Sequence, residues 1–304
     1  TSRDEQSNWI AVDFDDSAWV RPVALGPFGM APWGEVGIST DRRLPARMLR
    51  RDFHIEKPVR SAFVYMSGLG LSELYVNGAR SGDHVLSPAL SEYEKRVYYV
   101  THDVTKLLQQ GNNALGVQLG NGRFYAPRGS SFVGMKSYGY PKLLLQLHVE
   151  FEDGSTQVVT SDTQWKLSTD GPIRANNEYD GEQYDARREI QDWTRPGFDD
   201  SSWKAAQNVK DPGAVLSAQM IEPIRVMETI KPKSVKSIGP GAFLVDMGQN
   251  MVGWCRMRVN GPAGSTVTMR HAETLKEDGS LYVANLRGSK AEYSYTLKGG
   301  GDEY

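Results

Sequence analysis

The sequence predicts an all-β protein, and three observations carry that prediction. Residues 143–151 (LLLQLHVEF) alternate apolar and polar side chains with the period of two that a half-buried strand requires. The other β-branched and aromatic runs are short and are separated by turn formers, with 31 Gly and 15 Pro in 304 residues. Strands do not alternate with helical segments along the chain, which argues against a doubly wound nucleotide fold.

Strand signals begin near Leu49. Residues 61–66 (SAFVYM) and 73–76 (ELYV) flank the Gly-containing stretch 67–70. Asn77-Gly78 follows at once and suits the positive φ angles of a type I′ hairpin turn. Residues 96–101 (RVYYVT) and 114–119 (ALGVQL) are the next runs. Residues 103–110 (DVTKLLQQ) predict a short helix, with Asp103 or Thr105 near its N-cap and Gly111 past its end. Asp153-Gly154 turns the strand at 143–151 into a returning run, 156–167, with His148 on the more polar face. A stretch with three prolines, residues 222–241, reads as a linker. Beyond it, residues 243–246, 252–259, 266–273 and 292–297 predict further strands. Cys255 sits within one of them, where a buried, inert thiol is expected.

A short echo marks the two ends of the first region: residues 14–19 read FDDSAW and residues 198–203 read FDDSSW. The 184-residue separation excludes a solenoid period. An Asp and a Ser can close an Asx-type turn on backbone N–H groups while Phe and Trp anchor it, so both copies are expected to be structural.

Length and charge narrow the function. A chain of 304 residues predicts two domains: 1–222, with 1–48 as an extension, and 223–304. The second is expected to be unfinished, because its last strand precedes the loop-like residues 299–304. With 35 basic and 37 acidic residues, no excess of positive charge favours nucleic acid as a partner. Apolar runs fall far short of the roughly 20 residues of a membrane helix, so no membrane partner is expected. One cysteine allows no intrachain disulfide and no cysteine-based metal cluster. The chain begins on Thr1, which leaves export undecided.

Candidate chemistry is sparse. Residues 176–189 (NNEYDGEQYDARRE) concentrate Glu178, Asp180, Glu182, Asp185 and Glu189. Two of these could form the carboxyl pair of a glycosidase, but Arg187 and Arg188 stand beside them as partners, and ion pairing is the preferred reading. The same stretch offers oxygen ligands for calcium, although its spacing is not that of an EF-hand. No metal-ligand His or Cys spacing, nucleophile elbow or phosphate-binding glycine loop occurs. Trp33, Arg123, Tyr125 and Arg128 are the candidate carbohydrate contacts, since an aromatic face packs on sugar C–H groups and a guanidinium donates to hydroxyls. Packing against a neighbouring domain is the alternative for all four, and the preferred one.

Several motifs then occur in a recognisable order. Residues 68–78 (GLGLSELYVNG), Ser87-Pro88, Tyr93, Arg96, Tyr99, 103–105 (DVT) and 119–122 (LGNG) resemble the N-terminal module of bacterial α-L-rhamnosidases, glycoside hydrolase family 78. Residues 179–187 (YDGEQYDAR), Trp193 and FDDSSW resemble the later part of that module. Residues 246–254 (DMGQNMVGW), 270–275 (RHAETL), Asp278-Gly279 and 285–287 (NLR) resemble the β-sandwich that follows it. The resemblance implies a galactose-binding-like jelly-roll β-sandwich, then a second β-sandwich, then an (α/α)6 barrel that holds the catalytic carboxylates. No position of this chain matches them, so no catalytic residue is expected here. The implied reaction of the intact protein is inverting hydrolysis of terminal α-L-rhamnose. Its implied partners are a rhamnose-containing glycan or glycoside and the protein's own C-terminal barrel, at a periplasmic or extracellular site. Some members bind rhamnose through calcium, and that reading stays open here, beside direct sugar binding and a purely structural role.

Overall fold

The structure is a computed structural model that describes residues 13, 15, 17–20, 44–126 and 137–304. The chain divides into two compact units, Thr1–Arg42 and Arg43–Tyr304. In the first, the Asp15 carboxylate accepts the Ser17 N–H at 2.9 Å, the Asx turn expected of FDDSAW.

The strands of the second unit are, in chain order, β1 (Arg47–Ile55), β2 (Val59–Leu69), β3 (Leu71–Val76), β4 (Ala79–Arg80), β5 (Arg96–Asp103), β6 (Gly111–Gly120), β7 (Lys142–Phe151) and β8 (Thr156–Thr160). They continue with β9 (Lys166–Ser168), β10 (Ile173–Asn177), β11 (Gly181–Asp185), β12 (Lys204–Ala205) and β13 (Val215–Ala218). The last four are β14 (Ser234–Gly239), β15 (Ala242–Asp246), β16 (Thr266–Arg270) and β17 (Glu292–Thr296). Among the described residues, no helix is long and apolar enough to cross a membrane.

Two sheets form a sandwich. One runs β12-β9-β1-β6-β3-β4 and the other β13-β5-β2-β7-β8. Alternation decides which side chains meet between them. Leu49, Leu74, Leu115, Val117 and Leu119 point inward from the first sheet. Ala62, Val64, Met66, Leu145, Leu147 and Val149 point inward from the second. This is the jelly-roll core the sequence predicts, and His148 stands on the outer face of β7 against Tyr65. Asn77 and Gly78 take φ of 51° and 89°, both positive as a type I′ turn demands, between β3 and β4.

Four local expectations are corrected. The run 156–167 is not one strand: β8 pairs with β7, but β9 pairs with β1 in the opposite sheet. Trp165, 1% exposed, plugs the core at the crossing, and its indole N–H donates to the Thr160 carbonyl. Residues 103–110 make only a single 3-10 turn, Thr105–Leu107, with the Asp103 carboxylate on the Thr105 N–H. Residues 252–259 form no strand beyond an isolated bridge between Val259 and Glu303. Their backbone has no other strand partner among the described residues, and apolar sequence alone does not supply the ladder that a strand needs. Cys255 is accordingly exposed, not buried.

A further sheet runs β10-β11-β17-β16, with β11 and β17 parallel. It draws two strands from each side of residue 222. The β14–β15 ribbon stands as a two-stranded sheet.

Candidate functional site

The outer face of the first sheet is where polar and aromatic residues converge. On β1, β3 and β6 the positions between the core residues carry Met48, Arg50, Glu73, Tyr75, Gly116 and Gln118. Residues 171–203 fold over this face, and two features hold them there.

The first is the absence of a side chain at Gly116. A Cβ there would lie 2.4 Å from Thr194 Cγ2 and 3.0 Å from the Trp193 ring, so only glycine lets this segment close. The second is Arg50, with 0% of its surface exposed. Its Nε donates to the Trp193 carbonyl at 2.9 Å, and Nη2 to the Arg195 carbonyl at 3.1 Å. Its two Nη groups also bind the carboxylates of Asp200 and Asp52. The guanidinium lies over the Phe198 ring at 5.3 Å. Asp199 closes its turn on the Ser201 N–H at 3.0 Å, and Trp203 is buried. FDDSSW is thus a structural anchor, and its second Asp serves the buried arginine.

Between the sheet and its cover lies a cleft of about 310 Å³. Met48, Gln118 and Glu73 form its floor as one cross-strand row, since Met48 pairs with Gln118 and Gln118 with Glu73. Ile173 and Tyr184 pair across β10 and β11 to form the opposite wall. Trp193, Tyr75, Glu189, Ile190 and Pro172 complete the lining.

The acids here have fixed partners. Glu73 accepts Tyr75 Oη at 2.8 Å and Arg80 Nη2 at 3.0 Å. Glu189 accepts Tyr184 Oη at 3.0 Å and Lys298 Nζ at 2.5 Å. Burial and the neighbouring carboxylates push the Tyr75 and Tyr184 hydroxyls above the ordinary tyrosine range, which keeps both as donors. Glu182 lies two residues before Tyr184, on the same face of β11. Burial, and then the charge of Glu73, push its carboxyl up to about 7.

The remaining acids of 176–189 are engaged as well. Arg187 grips Asp185 through two bonds of 2.8 Å, and Asp180 accepts Asn177 Nδ2 at 3.0 Å. Glu178 meets Arg123 at 3.4 Å. Four of the five acids named from the sequence are therefore held by donors, and Glu182 is the exception. Among the described residues, no group of three or more His, Cys, Asp or Glu side chains could hold a metal ion.

Of the candidate carbohydrate contacts, Trp33 and Arg128 lie outside the described residues. Arg123 and Tyr125 lie on the turn after β6. Arg123 donates to Tyr179 Oη at 2.6 Å and reaches Glu178. Tyr125 is 7% exposed and stacks on Tyr140 at 5.3 Å, in a different place from the cleft. The cleft residues Glu73, Gln118 and Trp193 escaped sequence reasoning because they are far apart in the chain and meet only through strand register. The readable signal was Glu73 and Tyr75 on the outward positions of a strand whose inward ones are apolar.

The two packed sheets, with Glu73 and Glu189 bound to donors in the cleft on the outer face, define an all-β sandwich module. The sequence matches a family model described as the alpha-L-rhamnosidase N-terminal domain over residues 57–228. It matches a second, the bacterial alpha-L-rhamnosidase concanavalin-like domain, over residues 236–304. The chain belongs to the bacterial α-L-rhamnosidase family. It is 41% identical to an alpha-L-rhamnosidase of Streptomyces avermitilis over 306 residues, 100% of this chain and 29% of that protein. The crystal structure of the Streptomyces avermitilis enzyme complexed with L-rhamnose superimposes with a TM-score of 0.84 at 40% identity, covering 100% of this chain and 29% of that one. The α-L-rhamnosidase of Dictyoglumus thermophilum gives a TM-score of 0.79 at 43% identity, over 85% of this chain and 28% of that one. The chain thus spans about three-tenths of the length of these relatives.

Proposed function

We propose that this chain is the N-terminal, non-catalytic region of an enzyme that hydrolyses terminal α-L-rhamnose from glycans or glycosides, and that it acts as a platform for a catalytic domain elsewhere in the protein. One observation carries the non-catalytic reading: the acids lining the cleft are each tied to a cation and a tyrosine, so neither is free to act as acid or base across a glycosidic bond. The relatives, more than three times as long, support a catalytic region outside this stretch.

The platform role is supported by the β14–β15 ribbon. Val235 and Val245 pair across it, with Phe243 on the same face, and these side chains are 60%, 48% and 62% exposed. A two-stranded ribbon is marginal on its own, and an exposed apolar face is a surface for packing. Its partner is the part of the protein that the relatives carry beyond this stretch. A protein acting on rhamnose-rich external glycans works outside the cytoplasm, which fractionation of the producing cells checks.

The test is hydrolysis of an aryl α-L-rhamnoside by the protein at the relatives' full length, with the product anomer followed by NMR. Release of β-L-rhamnose is the expected inverting outcome. An inactive full-length protein overturns the assignment.

A further inference from the structure

The cleft over the outer face of the first sheet is not used by the function proposed above, and its chemistry is specific. Its volume, about 310 Å³, is at the lower end of small-molecule sites. Trp193, Tyr75 and Tyr184 line it with aromatic rings: the Tyr75 and Trp193 centroids lie 5.9 Å apart, Trp193 also packs on Trp203 at 6.1 Å, and Tyr184 has one face stacked on Tyr295 at 5.4 Å. Such faces pack on the C–H side of a sugar ring.

The polar groups decide which ligand fits. Gln118, on the floor, makes no side-chain hydrogen bond among the described residues, so its amide offers two donors and an acceptor. The Trp193 indole N–H likewise makes no hydrogen bond among the described residues. Glu73 and Glu189 each have carboxylate oxygens already bridged to a cation, Arg80 and Lys298. Spare lone pairs remain on them to accept hydroxyls. Because each carboxylate is neutralised by its own cation, the cleft has no charge left over to attract an amine. The residues that line it include no lysine or arginine to hold an anion. What fits is an uncharged ring with many hydroxyls.

We propose that this cleft is a carbohydrate-binding site for a neutral pyranose, read by Gln118 and the Trp193 indole N–H, with Glu73 and Glu189 accepting sugar hydroxyls and Tyr75 and Tyr184 as stacking surface. It requires no metal, and it is separate from the Arg123–Tyr125 turn. The proposal rests on the chemistry of the cleft alone and stands apart from the rhamnosidase assignment.

The experiment is a ¹H–¹⁵N titration of the 304-residue chain with L-rhamnose, D-galactose and D-glucose, each to about 50 mM, the range for weak sugar sites. D-Glucuronate serves as the charged counter-example, and one arm contains EDTA. At least one neutral sugar is expected to shift the Gln118 side-chain amide and the Trp193 indole resonance saturably, with EDTA having no effect and glucuronate leaving both unmoved. Gln118→Ala is expected to weaken binding by about fivefold or more, while Arg123→Ala changes it by less than about twofold. The site is refuted if neither resonance moves with any neutral sugar, if glucuronate moves them equally, or if Gln118→Ala binds as the wild type does. These direct readings at Gln118 and Trp193 do not depend on any variant folding. Loss of enzymatic activity in the longer protein bears on the family reading and leaves this one intact.

Discussion

Individual residues show how sparingly this fold uses charge in its interior. Arg50 is the clearest case, a fully buried guanidinium that gathers the carbonyls of Trp193 and Arg195 and the carboxylates of Asp52 and Asp200. Removing one member of such a set leaves its partners desolvated and unpaired. Arg50→Met is therefore expected to cost about 3–5 kcal/mol in urea denaturation, and Arg50→Lys to recover little, because an ammonium cannot reproduce the planar fork. Glu182 gives a pH signature of known sign. Its carboxyl is raised to about 7 from an ordinary 4.5, so the stability it contributes is full below about 4.5 and is lost as pH rises through about 7. Glu182→Gln should leave stability nearly unchanged at acid pH and raise it by about 2–3 kcal/mol in alkaline solution. His102 has the opposite sign. Burial, aided by His84 and Arg80, lowers it to about 4 from 6.5, so its share of stability is present above 6.5 and is lost as pH falls through about 4. The difference between wild type and His102→Gln in denaturant midpoint should follow that window, and a pH-independent difference would contradict it.

At the scale of elements, tight approaches decide which strands pair and which segment covers the sheet. Gly116→Ala places a methyl against Thr194 and Trp193 and should lift the covering segment, at about 1–3 kcal/mol by the usual cost of overpacking. Gly181 combines φ of +78° with a Glu292 carbonyl 2.1 Å from where a Cβ would stand. Gly181→Ala should open the parallel β11–β17 ladder, read as faster amide exchange in β17 with β7 unaffected. The sandwich strands were legible in the sequence because one face of each is buried and alternation shows it, as in β7. The switch of β8 to β9 across sheets was not, since Trp165 and its neighbours look like one continuous returning strand until the core claims the indole. The apolar run at 252–259 misled for a related reason: composition marks a segment as able to pair, but pairing needs a neighbour.

For the whole molecule, family membership was readable from ordered motifs, many of which turn out to be devices of the fold. Asn77, in residues 68–78, accepts the Ala114 N–H and donates to Leu107 and Asn113. Asn121, in residues 119–122, ties the Leu44 and Asn176 backbones together. The cleft itself stayed hidden, because its floor joins residues 48, 73 and 118 only through strand register. At this scale the exposed face of the β14–β15 ribbon makes a prediction of its own. Phe243→Asp should leave the sandwich of the 304-residue chain as stable as before, yet lower the melting temperature of the longer protein. Equal effects on both would remove the argument that this face packs against the rest of the enzyme. The central claim is that rhamnoside cleavage resides outside this stretch. It is tested most directly by measuring release of L-rhamnose from an aryl α-L-rhamnoside by the purified 304-residue chain and by the longer protein, side by side at equal concentration. Turnover by the longer protein alone is the predicted result. Turnover by the 304-residue chain would contradict the account.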